Sequence, residues 1–285
     1  MEATRKPKKV EESLLINITM EEDDEPTNNE DLIEVDVSDD LPFDEDDLSE
    51  TAEDKIDEQL EDVIETAILT FDVHTDSVYS SAINPKIPGL IVTGGGDDLA
   101  YLFKYSCSGD GPEEGTIYQA IELSGHTDTV CTVGFNFDGS LALTGSYDGT
   151  VRIWDALTGE LQQALSGPED IEWAEFHSKG NAVVAGSKDG TIWMWMAHNG
   201  QCIQVFAGHD GGVSSGCFTK DGKAICSGGE DGSVRIWAPK TGQCKHVFER
   251  HFGHAAMVTC LVSSDDGDMI LSGMCIAAVM YAFVW

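Results

Sequence analysis

Residues 148–159 read DGTVRIWDALTG. Residues 189–200 read DGTIWMWMAHNG and residues 231–242 read DGSVRIWAPKTG, so nearly the same twelve residues recur 41 and 42 positions apart. Each copy is a strand-like run with a Trp, opened by Asp-Gly and closed by a Gly turn. Recurrence at a period near forty marks one supersecondary unit used several times over.

Working outward, each copy proves to be the end of a longer unit. Gly125-His126 opens one unit and Gly208-His209 another. From His126 it is 22 residues to Asp148 and 28 to Trp154; from His209 it is again 22 to Asp231 and 28 to Trp237. The unit between them has Gly167 where the others have His, yet keeps 22 to Asp189 and 28 to Trp195. An earlier unit starts at His74, with Asp97 at 23 and Phe103 at 29. Turns at Asp138-Gly139, Lys179-Gly180 and Asp221-Gly222 divide the units internally.

This pattern resembles the WD-repeat family, whose unit runs from Gly-His to Trp-Asp. The resemblance implies an all-β fold, a β-propeller of four-stranded blades. The units fall at about 67–110, 118–160, 161–202 and 203–244, with part of a fifth at 245–273. The resemblance also implies a hydrogen-bonded relay inside each blade. Here that is His126, Thr144, Asp148 and Trp154, and again His209, Ser227, Asp231 and Trp237. His74 and Asp97 stand at relay positions in the first unit, and Asp189 and Trp195 in the third. A His/Ser/Asp set also invites comparison with a hydrolase triad. That reading is set aside, because the set recurs at repeat spacing and no G-x-S-x-G elbow accompanies it. No phosphate loop, His-Glu-x-x-His pair or Cys-x-x-Cys pair is present, so no enzyme activity, metal or cofactor is expected. The eight cysteines read as reduced core residues.

The third unit departs most from the pattern. It begins GPEDIEWAEFHSKG and lacks the relay His, so a looser blade is expected. Its acidic and aromatic group, Glu169, Asp170, Glu172, Trp173 and Glu175, reads either as strand packing beside solvated acids or as a patch that grips a partner's Arg or Lys.

Residues 1–66 form a different region. They carry 26 of the 52 acidic residues and 5 of the 16 basic ones, and they are expected to be a largely disordered leader. Within it Asp44, Glu45, Asp46 and Asp47 are candidate partner contacts, LIEVDV is a candidate docking strand, and TAEDKIDEQLEDVIETAIL has helical spacing. The formal net charge of −36 disfavours nucleic acid and anionic membranes and favours a basic partner. No apolar stretch is long enough to span a bilayer as a helix, and a cytoplasmic location, with a nuclear one beside it, is expected.

The fifth unit opens with Gly253-His254, but counting 22 and 28 onward lands on Ile276 and Ala282. From Met274 the sequence runs MCIAAVMYAFVW. The count predicts a C-terminally truncated propeller with an aberrant apolar tail over 274–285 that cannot supply the closing strands. An open edge of that kind is prone to self-association.

TGGGDDLAYLF, DIEWAEFHSKG and AGSKDGTIWMWMAHNGQC together look like one WD-repeat subfamily, that of the angio-associated migratory cell protein and a fungal relative. The fungal member is a chaperone of a basic large-subunit ribosomal protein. The resemblance therefore implies a non-catalytic scaffold for a basic client, such as a nascent ribosomal protein. The animal name implies the alternative, a signalling or migration adaptor that binds receptor or regulatory tails. A truncated product without independent function is the third possibility.

Overall fold

Short runs rich in Val, Ile and Trp, bounded by Asp-Gly and Lys-Gly turns, form nineteen antiparallel strands. They belong to a computed structural model that describes residues 70–106, 116–249, 254, 256–274 and 280–284. The leader, with Asp44, Glu45, Asp46, Asp47 and the helical and LIEVDV segments, lies outside the described residues.

The strands group into five meandering sheets. The first holds β1 (Val78–Ile83), β2 (Leu90–Gly95), β3 (Ala100–Ser106) and β4 (Thr116–Leu123). The second holds β5 (Val130–Phe135), β6 (Leu141–Ser146), β7 (Thr150–Asp155) and β8 (Leu161–Ser166). The third holds β9 (Ile171–Phe176), β10 (Ala182–Ser187), β11 (Thr191–Met196) and β12 (Cys202–Ala207). The fourth holds β13 (Ser215–Phe218), β14 (Ile225–Gly228), β15 (Val234–Trp237) and β16 (Cys244–Phe248). The fifth holds β17 (Val258–Ser263), β18 (Met269–Met274) and β19 (Met280–Val284). Sheets and sequence units are staggered by one strand. The strand that opens the unit at 118–160, β4, closes the first sheet, and later units repeat the offset.

Successive sheets stack through their first strands, β1 on β5, β5 on β9, β9 on β13 and β13 on β17. One repeat position shows what this buries. Val130, Ile171, Val213 and Val258 are each 0% exposed between two sheets. Their counterpart in the first sheet, Val78, is 53% exposed, since no described sheet precedes it. The relay imidazoles and the Trp residues at the ends of β7, β11 and β15 are buried within the blades, as closely packed aromatic anchors.

Two expectations need correction. The apolar tail supplies one of the two closing strands, leaving three described strands in the fifth sheet: β19 pairs with β18, placing Ile270 opposite Phe283 and Leu271 opposite Ala282. Ile270 is the counterpart of Ala142, Val183 and Ile225, which lie opposite Trp154, Trp195 and Trp237. The Trp register is therefore held by Phe283, one position beyond the count, and Phe103 holds it in the first sheet opposite Ile91. Nor is the third blade thinly packed. Val183, Val184, Ala185 and Ile192 are fully buried, and Trp193 stacks on Trp195 with centroids 6.0 Å apart. The Trp193 ring occupies the space beside Gly167, where the other blades carry His.

Candidate protein-docking face

The relay sets the geometry of one end of every sheet. In the second blade His126 Nδ1 lies 2.9 Å from Asp148, His126 Nε2 lies 2.8 Å from Thr144 Oγ1, and Trp154 Nε1 donates to the same hydroxyl at 2.9 Å. A neutral imidazole donating from Nδ1 completes a one-way chain: indole to hydroxyl, hydroxyl to imidazole, imidazole to carboxylate. The fourth blade repeats it with His209, Ser227, Asp231 and Trp237. In the first, His74 meets Asp97 and Thr93, and Phe103 replaces the Trp and stacks on Phe71. In the third, Asp189 still accepts from the Thr191 backbone N–H, but Ala185 stands where Thr144 and Ser227 stand elsewhere.

Burial holds His126 and His209 below the ordinary imidazole range, against the pull of Asp148 and Asp231. Burial pushes the Asp148 carboxyl upward, but hydrogen bonds from Thr150 and His126 outweigh it and hold the group below its usual value. With these carboxylates also accepting backbone N–H groups, as Asp148 does from Thr127 and Asp231 from Asp210, the relay anchors the connector that leads into each blade. It is a structural device, with its hydroxyls occupied inside the blade.

Because each sheet is a meander, the connectors between blades and the Asp-Gly turns emerge at the same end. That end is acidic. The first blade brings Asp76 and Asp98 to it, the second Asp128, the third Glu169, Asp170 and Glu172, and the fourth Asp210 and Glu230. Lys188 is the lysine among the described residues of these connectors and turns. Arg152 reaches toward the same end but donates to the Gly125 carbonyl, and Arg235 donates to Ser233. The opposite end mixes signs, with Lys86, Lys179, Lys220 and Lys223 among Asp138, Asp221 and Asp266. Asp98 has φ 63°, where the other blades place Gly149, Gly190 and Gly232. A left-handed backbone that a Gly would hold at no cost is thus held by one more carboxylate.

The densest part of this face joins the first four blades. Burial raises the Glu172 carboxyl, Lys188 opposes that, and Glu230 and Asp170 add to it. Burial, then Cys131, Glu172, Tyr79 and Asp170 push the Tyr147 phenol up to about 12. Tyr79 is 58% exposed. Asp170 meets Lys188 at 3.4 Å in an exposed pair, which adds little to stability and leaves both groups accessible. Carboxylates beside two phenol rings are suited to a guanidinium or ammonium group.

The five residues singled out in the third unit do not stay together. Glu169, Asp170 and Glu172 lie on the acidic end. Trp173 does not: it is 7% exposed and packs between the third and fourth blades with Phe218, Ile225 and Trp237. It is a core residue, because its side of β9 faces the next blade. Glu175 lies near the other end of β9, where its Oε2 accepts the Phe218 N–H at 3.0 Å. Tyr79, Tyr147, Lys188 and Glu230 were not anticipated. Three of them share one signal in the sequence: Tyr147, Lys188 and Glu230 each directly precede the repeated Asp-Gly. Among the described residues no group of three or more His, Cys, Asp or Glu is placed to hold a metal ion. Their six cysteines are free thiols. No helix there is long and apolar enough to cross a membrane.

Comparison with known proteins agrees with this geometry. The family described as "WD domain, G-beta repeat" matches residues 118–155, 159–196, 200–238 and 242–275, just over half of the chain. The human angio-associated migratory cell protein is 34% identical over 111 residues, 39% of this chain and 23% of that protein. The ribosome assembly protein SQT1 of Saccharomyces cerevisiae is 32% identical over 120 residues, 41% of this chain and 26% of that protein. The chain thus spans about a quarter of the length of these curated relatives.

Proposed function

The chain belongs to the WD40 repeat family, whose members are generally non-catalytic scaffolds, and on that premise we propose that its acidic Asp-Gly end docks a basic protein. The observation that carries this reading is the charge difference between the two ends of the same sheets. Every described blade from the first to the fourth adds carboxylates to one end, while the other end mixes Lys with Asp. A fold needs no such asymmetry. A partner rich in Arg and Lys does, both for steering and for pairing. Tyr79, Tyr147, Asp170, Glu172 and Glu230 form its centre.

The client is a ribosomal protein on its way into the large subunit. Support comes from the charge complement, since such proteins are basic, and from the similarity to a ribosome assembly protein. On this reading the protein works in the cytoplasm and the nucleus. The adaptor reading, taken from the similarity to a migratory cell protein, predicts receptor or regulatory tails as partners instead.

The test is capture of partners on the full chain and on an Asp170→Asn, Glu172→Gln, Glu230→Gln variant, identified by mass spectrometry at low and high salt. Ribosomal proteins that are lost in the variant and at high salt support the reading. Capture that is indifferent to both would overturn it, and enrichment of receptor tails would favour the adaptor.

A further inference from the structure

Position for position, Glu175 has no acidic counterpart. The equivalent residues of the other blades are Ala82, Gly134, Cys217 and Val262, all small or apolar. Blade formation therefore does not call for a carboxylate here. The one placed there lines a cleft of about 230 Å³, away from the acidic Asp-Gly end, together with Gly216, Cys217, Phe218, Lys220 and residues Leu261 to Ser263 of β17. One carboxyl oxygen accepts the Phe218 N–H; the other accepts no hydrogen bond from a described residue. Leu261, which packs against the fourth blade, gives that side of the cleft an aliphatic wall. The volume is below the ~300–1,000 Å³ of sites for small molecules and cofactors, and is of the size of one long side chain.

We propose that this cleft is a second binding site, in which the Glu175 carboxylate takes one lysine or arginine side chain of a bound protein. The alkyl stem lies along Leu261, and the charged head pairs with the second carboxyl oxygen. Groups that face Glu175 are Cys217 and Lys220 from β13 and the turn after it, and Cys226 from β14; β17 presents Leu261, Val262 and Ser263, none titratable. Lys220 also lines the cleft and is exposed, free to swing into solvent. Burial pushes the Glu175 carboxyl up to about 7, against the Phe218 N–H and Lys220. Cation binding then requires loss of that proton, so affinity rises with pH through neutrality. The site is independent of the acidic Asp-Gly end.

The experiment is an NMR titration of the full chain with acetyl-arginine methylamide, read at the Phe218 amide that donates to Glu175. The expected result is a saturable shift of that amide, with affinity about tenfold better at pH 8 than at pH 6. Glu175→Gln, which keeps an acceptor for Phe218, abolishes the shift. The Asp170→Asn, Glu172→Gln, Glu230→Gln variant retains it, so this site and the acidic docking face stand or fall separately. A Phe218 amide that stays still at pH 8, or that titrates equally in Glu175→Gln, overturns the proposal.

Discussion

The indole of Trp173 lies against Gly216 of the next blade, in the volume where any Cβ at position 216 would fall. Gly186, opposite Trp173 within its own sheet, is held to the same limit. A large ring thus passes between two backbones that both lack side chains, and this is how the third blade seats on the fourth.

Gly216→Ala should therefore cost about 1–3 kcal/mol through overpacking. The matched control is Gly134→Ala. It lies in the first strand of its blade like Gly216, and a Cβ there meets nothing within 4 Å. Removal of a Gly from an open strand site lowers the entropy of the unfolded chain, so Gly134→Ala should be neutral or stabilising by a few tenths of a kcal/mol. Urea midpoints of the two variants decide it; equal midpoints would mean that the ring moves aside.

Thr144 joins His126 to Trp154, so Thr144→Val strands a buried acceptor and a buried donor together. The expected loss is about 2–4 kcal/mol. Ser227→Ala should behave alike in the fourth blade. The near-ultraviolet signal of Trp154 should change with Thr144→Val, because its indole N–H loses its acceptor. A loss below about 0.5 kcal/mol would mean that the blade closes by packing, as the third does around Ala185.

Asp148 makes an acid-sensitive contribution. Its folded carboxyl sits below the ordinary value near 3.8, so the stability it adds is complete above that value and is lost as the pH falls through its folded value. His126, held neutral by burial, acts in the same direction from a higher pH: the unfolded chain takes up a proton near 6.5 while the folded one resists. The advantage of the native chain over Asp148→Asn, measured by urea unfolding, should be full at pH 7 and shrink below pH 4. An advantage that is constant down to pH 2.5 would contradict the hydrogen-bonded geometry.

The repeat was legible because His, Asp and Trp recur at nearly fixed positions set by the four-stranded blade, a spacing that the third unit keeps without the relay His and that the first unit stretches by one residue with its His–Asp bond intact. The acids at the start of the third unit were legible as a group because that unit departs there from the pattern of the others. Their fates were not. Whether Trp173 faces solvent or a neighbouring blade depends on which side of β9 the next sheet covers, and that is a contact 43 residues away in the chain. The stagger between sequence unit and sheet was hidden because both have the same period. Phe283 escaped the count because it lies opposite Ile270 at 29 residues from His254, one more than the 28 of the second, third and fourth units.

Glu175 supplies the opposite pH slope to Asp148. Its folded value, near 7, lies above the 4.5 of an unperturbed Glu, so the folded chain binds the extra proton between those limits. Stability from this group is therefore fully present below about pH 4.5 and is lost as the pH rises through 7. Glu175→Gln removes the ionisation while leaving an acceptor for the Phe218 N–H. The variant should match the native chain near pH 4.5 and exceed it at pH 8 by up to about 3 kcal/mol, the ceiling set by a displacement of that size. Between pH 5 and 7 His126 and His209 pull the other way, so Glu175→Gln should fall with acid more steeply than the native chain. Paired urea titrations at pH 5, 6, 7 and 8 read this directly. If the two chains ran parallel across that range, Glu175 would be ionised in the fold at all these values and its burial would be offset by a partner other than Phe218 and Lys220.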